Sequence, residues 1–342
     1  MSNTSYAVLT RAKAKFGKRL TEKDYKNLLH CDSVPDVMTY LKSNTHYSEA
    51  FGEANERGIR RGVFENLLRQ YVTKEFDTIS RFELSVGEDF SEYIAHKTEI
   101  DEIIKILTRL NSTNKNEEYN FSIPPHIAKK VSIDLIALSK AENYEQFLEA
   151  MKKSHYSDVL REYDPKSNYL PIPEIENKLY TKLYSELFDA IKKTDPTERD
   201  ELQDLFNTII DYKNFSNIIR LKKYYNAKGT DIIKYLLPFG SLKPQVIYEM
   251  CSADSSADVF KIMQNTRVGK LMTKVSFTNS GELPLIIKNK KALHNMYFSD
   301  SPATVMMSYV IICEIELHNL VCIIEGARYN VDNSKIEPLL IY

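Results

Sequence analysis

The chain is poor in the residues that interrupt helices, with 10 glycines and 12 prolines in 342 residues, and it has no tryptophan. That scarcity excludes collagen-like and Pro/Gly-rich low-complexity chains. The alternation of apolar and polar residues that marks half-buried strands is also hard to find. The four cysteines, Cys31, Cys251, Cys313 and Cys322, form no CxxC pair and no regular framework. They read as reduced thiols, most of them buried. Charge of one sign is missing too: the net charge is −1 and the pI 6.7, which leaves no broad basic footprint for nucleic acid. The most apolar stretch, 303–324, is broken by Glu314, Glu316 and His318. Carboxylates at mid-bilayer are costly, so a buried helix is expected there and not a membrane span. The N-terminal cations have no apolar core behind them, which argues against a signal peptide.

What is present is helical period. Hydrophobic residues make up 43% and charged residues 27%, as in globular chains. In 63–79, Phe64, Leu67, Leu68, Tyr71, Val72 and Phe76 share one face; in 175–193, Leu179, Leu183, Tyr184, Leu187 and Ile191 do the same. Breaks are expected at Pro124-Pro125, Pro165, Pro171, Pro173, Pro196, Pro238-Phe239-Gly240 and Pro284, with a polar stretch at 111–120. Ser33-x-x-Asp36 and Ser255-x-x-Asp258 carry the pattern of helix caps. The only plausible extended pieces lie around 275–288. The predicted fold class is all-α.

One segment is written three times. THYSEAF (45–51) nearly repeats as SHYSDVL (154–160), and the match extends upstream so that 28–51 aligns with 137–160 and, more loosely, with 249–272. Met38, Phe147 and Val259 then correspond, as do Leu41, Ala150 and Ile262. Thr45, Ser154 and Thr266 precede Tyr47, Tyr156 and Val268. A second segment recurs in 97–107, 212–222 and 314–324, each with two polar residues at i and i+3 before an apolar run. These pairs are Glu99 with Glu102, Asn214 with Asn217, and Glu316 with Asn319, each on one helical face. A long amphipathic helix precedes the first two, and the third reads as truncated. Calling the segments turn unit and pair unit, the order is turn, pair, turn, pair, turn, pair. Neither covers its apolar face alone, so neighbours must stack. A chain that opens with one and closes with the other has complementary ends. The expectation is three pseudo-repeated units, approximately 1–115, 116–226 and 227–342, closed into a ring or funnel about a pseudo-threefold axis.

Catalytic signatures are missing. Val268-Gly269-Lys270-Leu271 lacks the first glycine and the Ser/Thr of a phosphate loop. The seven histidines contain no HExxH, and His46 and His155 read as structural or surface residues. Glu99 and Glu102 suggest paired acid–base carboxylates, yet their amide counterparts cannot share that chemistry. Packing and inter-repeat hydrogen bonding explain the whole set better. No catalytic, cofactor-binding or metal residue is assigned. The candidates for repeat packing or an interface are Tyr47, Tyr156, Glu99, Glu102, Asn214, Asn217, Arg220, Lys222, Glu316 and Asn319. For Arg220 and Lys222, pairing with acidic groups inside the protein and meeting a partner remain equal alternatives. Of the first-helix cations Arg11, Lys13, Lys15, Lys18 and Arg19, most read as solvated, with a subset available to lipid headgroups or a partner.

Several of these residues carry a family resemblance. Tyr6-Ala7 with Arg11-Ala12-Lys13, Leu20-Thr21 with Asp24-Tyr25, and Thr45-His46-Tyr47 occur in order. They are followed by Asp211, Asn214, Asn217, Ile218, Arg220 and Lys222, then Pro238-Phe239-Gly240, then Glu316, Asn319 and Leu320. From about residue 6 to 330 the chain resembles the AC39 family, that is, the d subunits of V-type ATPases and the C subunits of archaeal and bacterial A/V-type ATPases. Val268, Lys13 and Cys322 depart from its pattern. The resemblance implies a non-catalytic central-stalk component without a cofactor, peripheral on the cytoplasmic face of the membrane. Such a component is a socket between the central shaft and the membrane proteolipid ring in ATP-driven or ATP-forming proton or sodium transport. The alternative is a helical-repeat scaffold for unrelated protein partners.

Overall fold

A computed structural model describes residues 3–52, 59, 61–81, 87–112, 131, 133–166, 169–225, 227–272 and 282–342. Every regular element among them is helical, so the chain is all-α. In chain order the helices are α1 (Asn3–Phe16), α2 (Glu22–Leu29), α3 (Val34–Asn44), α4 (Ser48–Phe51), α5 (Arg61–Ser80), α6 (Gly87–Asn111), α7 (Leu135–Lys140), α8 (Tyr144–Ala150) and α9 (Ser157–Leu160). There follow α10 (Ile172–Ile191), α11 (Pro196–Tyr225), α12 (Gly229–Ile233), α13 (Pro244–Ser252), α14 (Ser256–Gln264), α15 (Leu283–Phe298), α16 (Pro302–Tyr329) and α17 (Asn333–Ile336), with a 3-10 turn at Val268–Met272.

Helix boundaries follow local chemistry. The side chains of Ser33, Asn143 and Ser255 accept from the N–H three residues on and so start α3, α8 and α14. Thr21 and Asp24 form a reciprocal capping box on α2. Pro173, Pro196, Pro284 and Pro302 stand in the first turns of helices, where no N–H is needed. Proline therefore marks starts more than breaks here. Of the extended stretch expected around 275–288, residues 283–288 are instead the first turns of α15, because Pro284 supplies a helical N-terminal dihedral. The third pair unit is not truncated: α15 precedes α16 as α5 precedes α6. The break at Pro124-Pro125 and most of 111–120 lie outside the described residues.

By internal contacts the chain forms two compact units. The first comprises Met1–Glu88, Thr194–Leu205 and Lys274–Tyr342. Its centre is α16, packed by α1, α5, α15, α3, α2 and α17. By length and composition α16 could cross a membrane, but its most apolar stretch is 78% buried within the protein. Its N-cap Ser301 makes no side-chain cap; the Glu198 carboxylate accepts from the Ala303 N–H at 2.7 Å in its place. A core cluster joins Leu28, Met38, Leu41, Tyr47, Phe51, Phe64 and Leu68 to Leu317, Leu320, Ile323 and Ile324. The first turn unit thus lies on the last long helix.

The second unit comprises Asp89–Lys193 and Phe206–Thr273. Here α7 packs on α8, α9 on α10, α12 on α13 and α13 on α14. Counted from the three N-caps, the buried columns are Val37, Phe147 and Val259, then Leu41, Met151 and Met263, all solvent-free. This register replaces the gapless one of the sequence comparison, because the first turn unit has one more residue between its cap and Thr45 than the second has before Ser154.

Candidate functional site

Each pair-unit helix carries a buried carboxylate that grips a turn elsewhere in the chain. In the second unit, Glu99 on α6 is solvent-free and accepts from the Ser154 hydroxyl. The same hydroxyl accepts from the Tyr156 N–H at 3.0 Å, which locks the turn between α8 and α9. Tyr156 is also fully buried, and neither its hydroxyl nor the second Glu99 oxygen has a partner among the described residues. Burial therefore pushes the Glu99 carboxyl up to about 7, with the Ser154 hydrogen bond pulling the other way. One turn on, Glu102 is buried and pairs with Lys105 at 2.7 Å. Asn111, near the end of α6, holds Leu170 through both N–H and C=O, at 3.2 and 2.9 Å.

The second grip, also in the second unit, belongs to Asp211 on α11. It accepts from the Ser241 N–H (3.0 and 3.1 Å), the Ser241 hydroxyl (2.7 Å) and the Leu242 N–H (3.2 Å). Burial raises its pKa, while the Ser241 and Leu242 bonds oppose the rise. Asn214 clasps the Leu237 backbone from both sides, at 2.9 and 3.0 Å. Between these anchors runs Pro238-Phe239-Gly240. Gly240 has φ +120°, and a Cβ there would stand 2.2 Å from an Asp211 oxygen. Only glycine allows the backbone so close to the carboxylate. The third turn unit has Val268 in the tyrosine position, and the ring comes from the other side: Tyr212, solvent-free, donates to the Val268 carbonyl at 2.8 Å.

The third grip lies in the first unit. Glu316 on α16 accepts from the Leu20 N–H at 2.6 Å and from the Tyr47 hydroxyl at 3.0 Å. Burial pushes this carboxyl up to about 7 against those two bonds. Asn319 clasps Ile341 through N–H and C=O at 2.9 and 2.6 Å. The Tyr47 ring is buried against Tyr71 and His46.

The geometry gives a register that differs from the one read in sequence. Asp211 stands with Glu99 and Glu316, and Asn214 stands with Glu102 and Asn319. Asn217 is only half-buried and accepts from Arg220 at 3.4 Å. Arg220 is exposed, and Lys222 donates to the Ala253 carbonyl at 2.6 Å. A helix face looks the same after a slip of three residues, so polar-pair matching alone chose the wrong pair on α11. Asp211 was legible as the acid one turn before Asn214, the spacing that Glu316 has to Asn319. Ser154 recurs with Thr45 and Thr266 but its partner was not legible, and Ser241, Asn111 and Leu20 carry no signal of their own, since what they hold lies far along the chain.

The arrangement binds chain to chain. Glu99 grips the second turn unit, Asp211 the 238–242 turn ahead of the third, and Glu316 reaches Leu20 and the first turn unit. The profile of the family described as ATP synthase (C/AC39) subunit matches residues 8–339. The C subunit of the A-type ATP synthase of Methanosarcina acetivorans is 24% identical over 353 residues, spanning 99% of this chain and 93% of its own length. That of Methanococcoides burtonii is 25% identical over 360 residues, spanning 99% and 95%. That of Pyrococcus abyssi is 24% identical over 213 residues, spanning 60% and 56%. With a family match running through every turn unit and pair unit described above, this chain belongs to the ATP synthase (C/AC39) subunit family.

Proposed function

We propose that the chain is a non-catalytic central-stalk component of a rotary V/A-type ATPase. In this reading it is a socket that receives the lower end of the central shaft and sits on the membrane proteolipid ring, peripheral on the cytoplasmic face. It passes torque between the soluble motor and the ring during ATP-driven or ATP-forming proton or sodium transport. Three units, approximately 1–115, 116–226 and 227–342, wrap into a funnel about a pseudo-threefold axis.

The observation that carries this reading is the last grip: Glu316, near the end of the chain, holds Leu20 and Tyr47 near its beginning. An open solenoid leaves its terminal faces uncovered or capped, whereas a socket must return on itself. The joints also suit a part loaded in shear. Each combines a buried tyrosine with hydrogen bonds to a carboxylate, and such bonds contribute about 1.5–3 kcal/mol apiece. Exposed tyrosines at Tyr224, Tyr225 and Tyr248 supply the amphipathic surface favoured at wet protein interfaces.

The test is co-expression with a shaft protein and a proteolipid ring of the same host, followed by purification through a tag on the ring. The chain is expected to co-purify in a fixed ratio. A stable, folded chain that never associates with the ring overturns the socket and leaves the helical-repeat scaffold as the better account.

A further inference from the structure

We propose that His96, His155 and Glu186 form a binding site for a divalent transition-metal ion of the zinc class, built into the joint that Glu99 closes. His96 projects from α6, His155 from the turn before α9, and Glu186 from α10, all in the second unit. One ligand atom of each lies within 4.8 Å of the others. The two imidazoles are stacked with centroids 4.2 Å apart and planes 6° from parallel. Both present a nitrogen to the same carboxylate: His155 Nε2 lies 2.7 Å from Glu186 Oε1, and His96 Nδ1 lies 3.8 Å from Oε2. Two imidazole nitrogens and a carboxylate oxygen are a zinc donor set with one position left for water. Tetrahedral coordination with bonds of about 2.0 Å needs donors about 3.3 Å apart. The half-exposed His155 and Glu186 side chains have the freedom to close that difference.

The repeat itself does not ask for these histidines. At the position three before the gripping carboxylate, the pair units have His96, Thr208 and Cys313; before the tyrosine position, the turn units have His46, His155 and Arg267. Of the three joints, only this one brings two histidines together. In the first unit, His46 packs on Tyr47 and Tyr71 instead. The other charges facing the site are Glu99, which favours a cation, and Lys182, whose ammonium is held by Asp158 at 2.9 Å. An ion here would tie three elements together beside the Ser154 grip. The sequence showed none of this because the ligands are far apart along the chain.

The test uses the full chain, stripped with a chelator and titrated with ZnCl2 by calorimetry, with folding checked by circular dichroism. One ion per chain and a raised melting temperature are expected. His155→Asn and Glu186→Gln are each expected to weaken binding at least tenfold, whereas His46→Ala and Cys322→Ser leave it unchanged. Co2+ substitution should give tetrahedral d–d bands without thiolate charge-transfer absorption. No binding, or binding that survives both His155→Asn and Glu186→Gln, overturns the proposal. So does a thiolate band that moves the ion to Cys322 and His318, which lie 3.7 Å apart. Should Glu186→Gln disturb the fold, the exposed His155→Asn variant decides alone.

Discussion

Replacing Glu316 by glutamine isolates what a buried, gripping carboxylate costs and contributes. In the folded chain its pKa is pushed up to about 7 by burial, against an ordinary value of 4.5. Below pH 4.5 the group is protonated in folded and unfolded chains alike, and its favourable contribution is fully present. As pH rises the unfolded chain ionises first, and the contribution is lost through the folded pKa near 7. The gap corresponds to about 3 kcal/mol, of which about 2.5 kcal/mol falls between pH 5 and pH 8. Glutamine copies the protonated acid, with one acceptor and one donor, but does not titrate. Stability of wild type and Glu316→Gln is to be measured by urea unfolding at pH 5, 6, 7 and 8, with hydrogen exchange at the Leu20 amide reporting the joint. Glu99 and Asp211, whose pKa values burial also raises, titrate in both proteins and cancel in the difference. Relative to wild type, the variant is expected to gain about 2–3 kcal/mol in going from pH 5 to pH 8. A difference that stays flat across this range would refute the reasoning, whatever the sign of the offset.

The tyrosine positions supply a contrast: Tyr47→Phe removes a hydroxyl bonded to Glu316 and should cost about 1.5–3 kcal/mol. Tyr156→Phe removes a hydroxyl without a described partner and should be neutral or slightly stabilising; equal melting shifts for the two would sink the distinction. Gly240→Ala places a methyl against Asp211 at a positive φ, and should cost about 3 kcal/mol or more in urea unfolding, while unchanged stability would mean that the turn relaxes freely. Asn214→Ala strands both polar groups of Leu237, for a loss of about 2–4 kcal/mol; faster exchange of the Leu237 amide is the local readout, and unaltered protection there would contradict the clasp.

Much of the fold was legible because helices are written in short-range code. Ser33 and Ser255 announced caps that the structure contains, and the apolar faces of 63–79 and 175–193 predicted α5 and α10. The buried character of α16 followed from the carboxylates inside it. Errors arose where two short-range readings were equally good. The stretch at 283–288 is apolar enough for strand or helix, and Pro284 in a first turn decided it. On α11, Asn214 with Asn217 and Asp211 with Asn214 lie on overlapping faces, so only the contact with Ser241 distinguishes them.

By itself, the sequence determined that the chain is helical and which family it joins, since period, caps and motif order are properties of neighbouring residues. Only the tertiary structure decided which copy grips which. It showed that Glu316 reaches back to Leu20 and Tyr47, that Gly240 must yield space to Asp211, and that His96, His155 and Glu186 share one spot. Those facts depend on distances between groups remote along the chain, set by side-chain volume and by the hydrogen bonds that most buried polar atoms find.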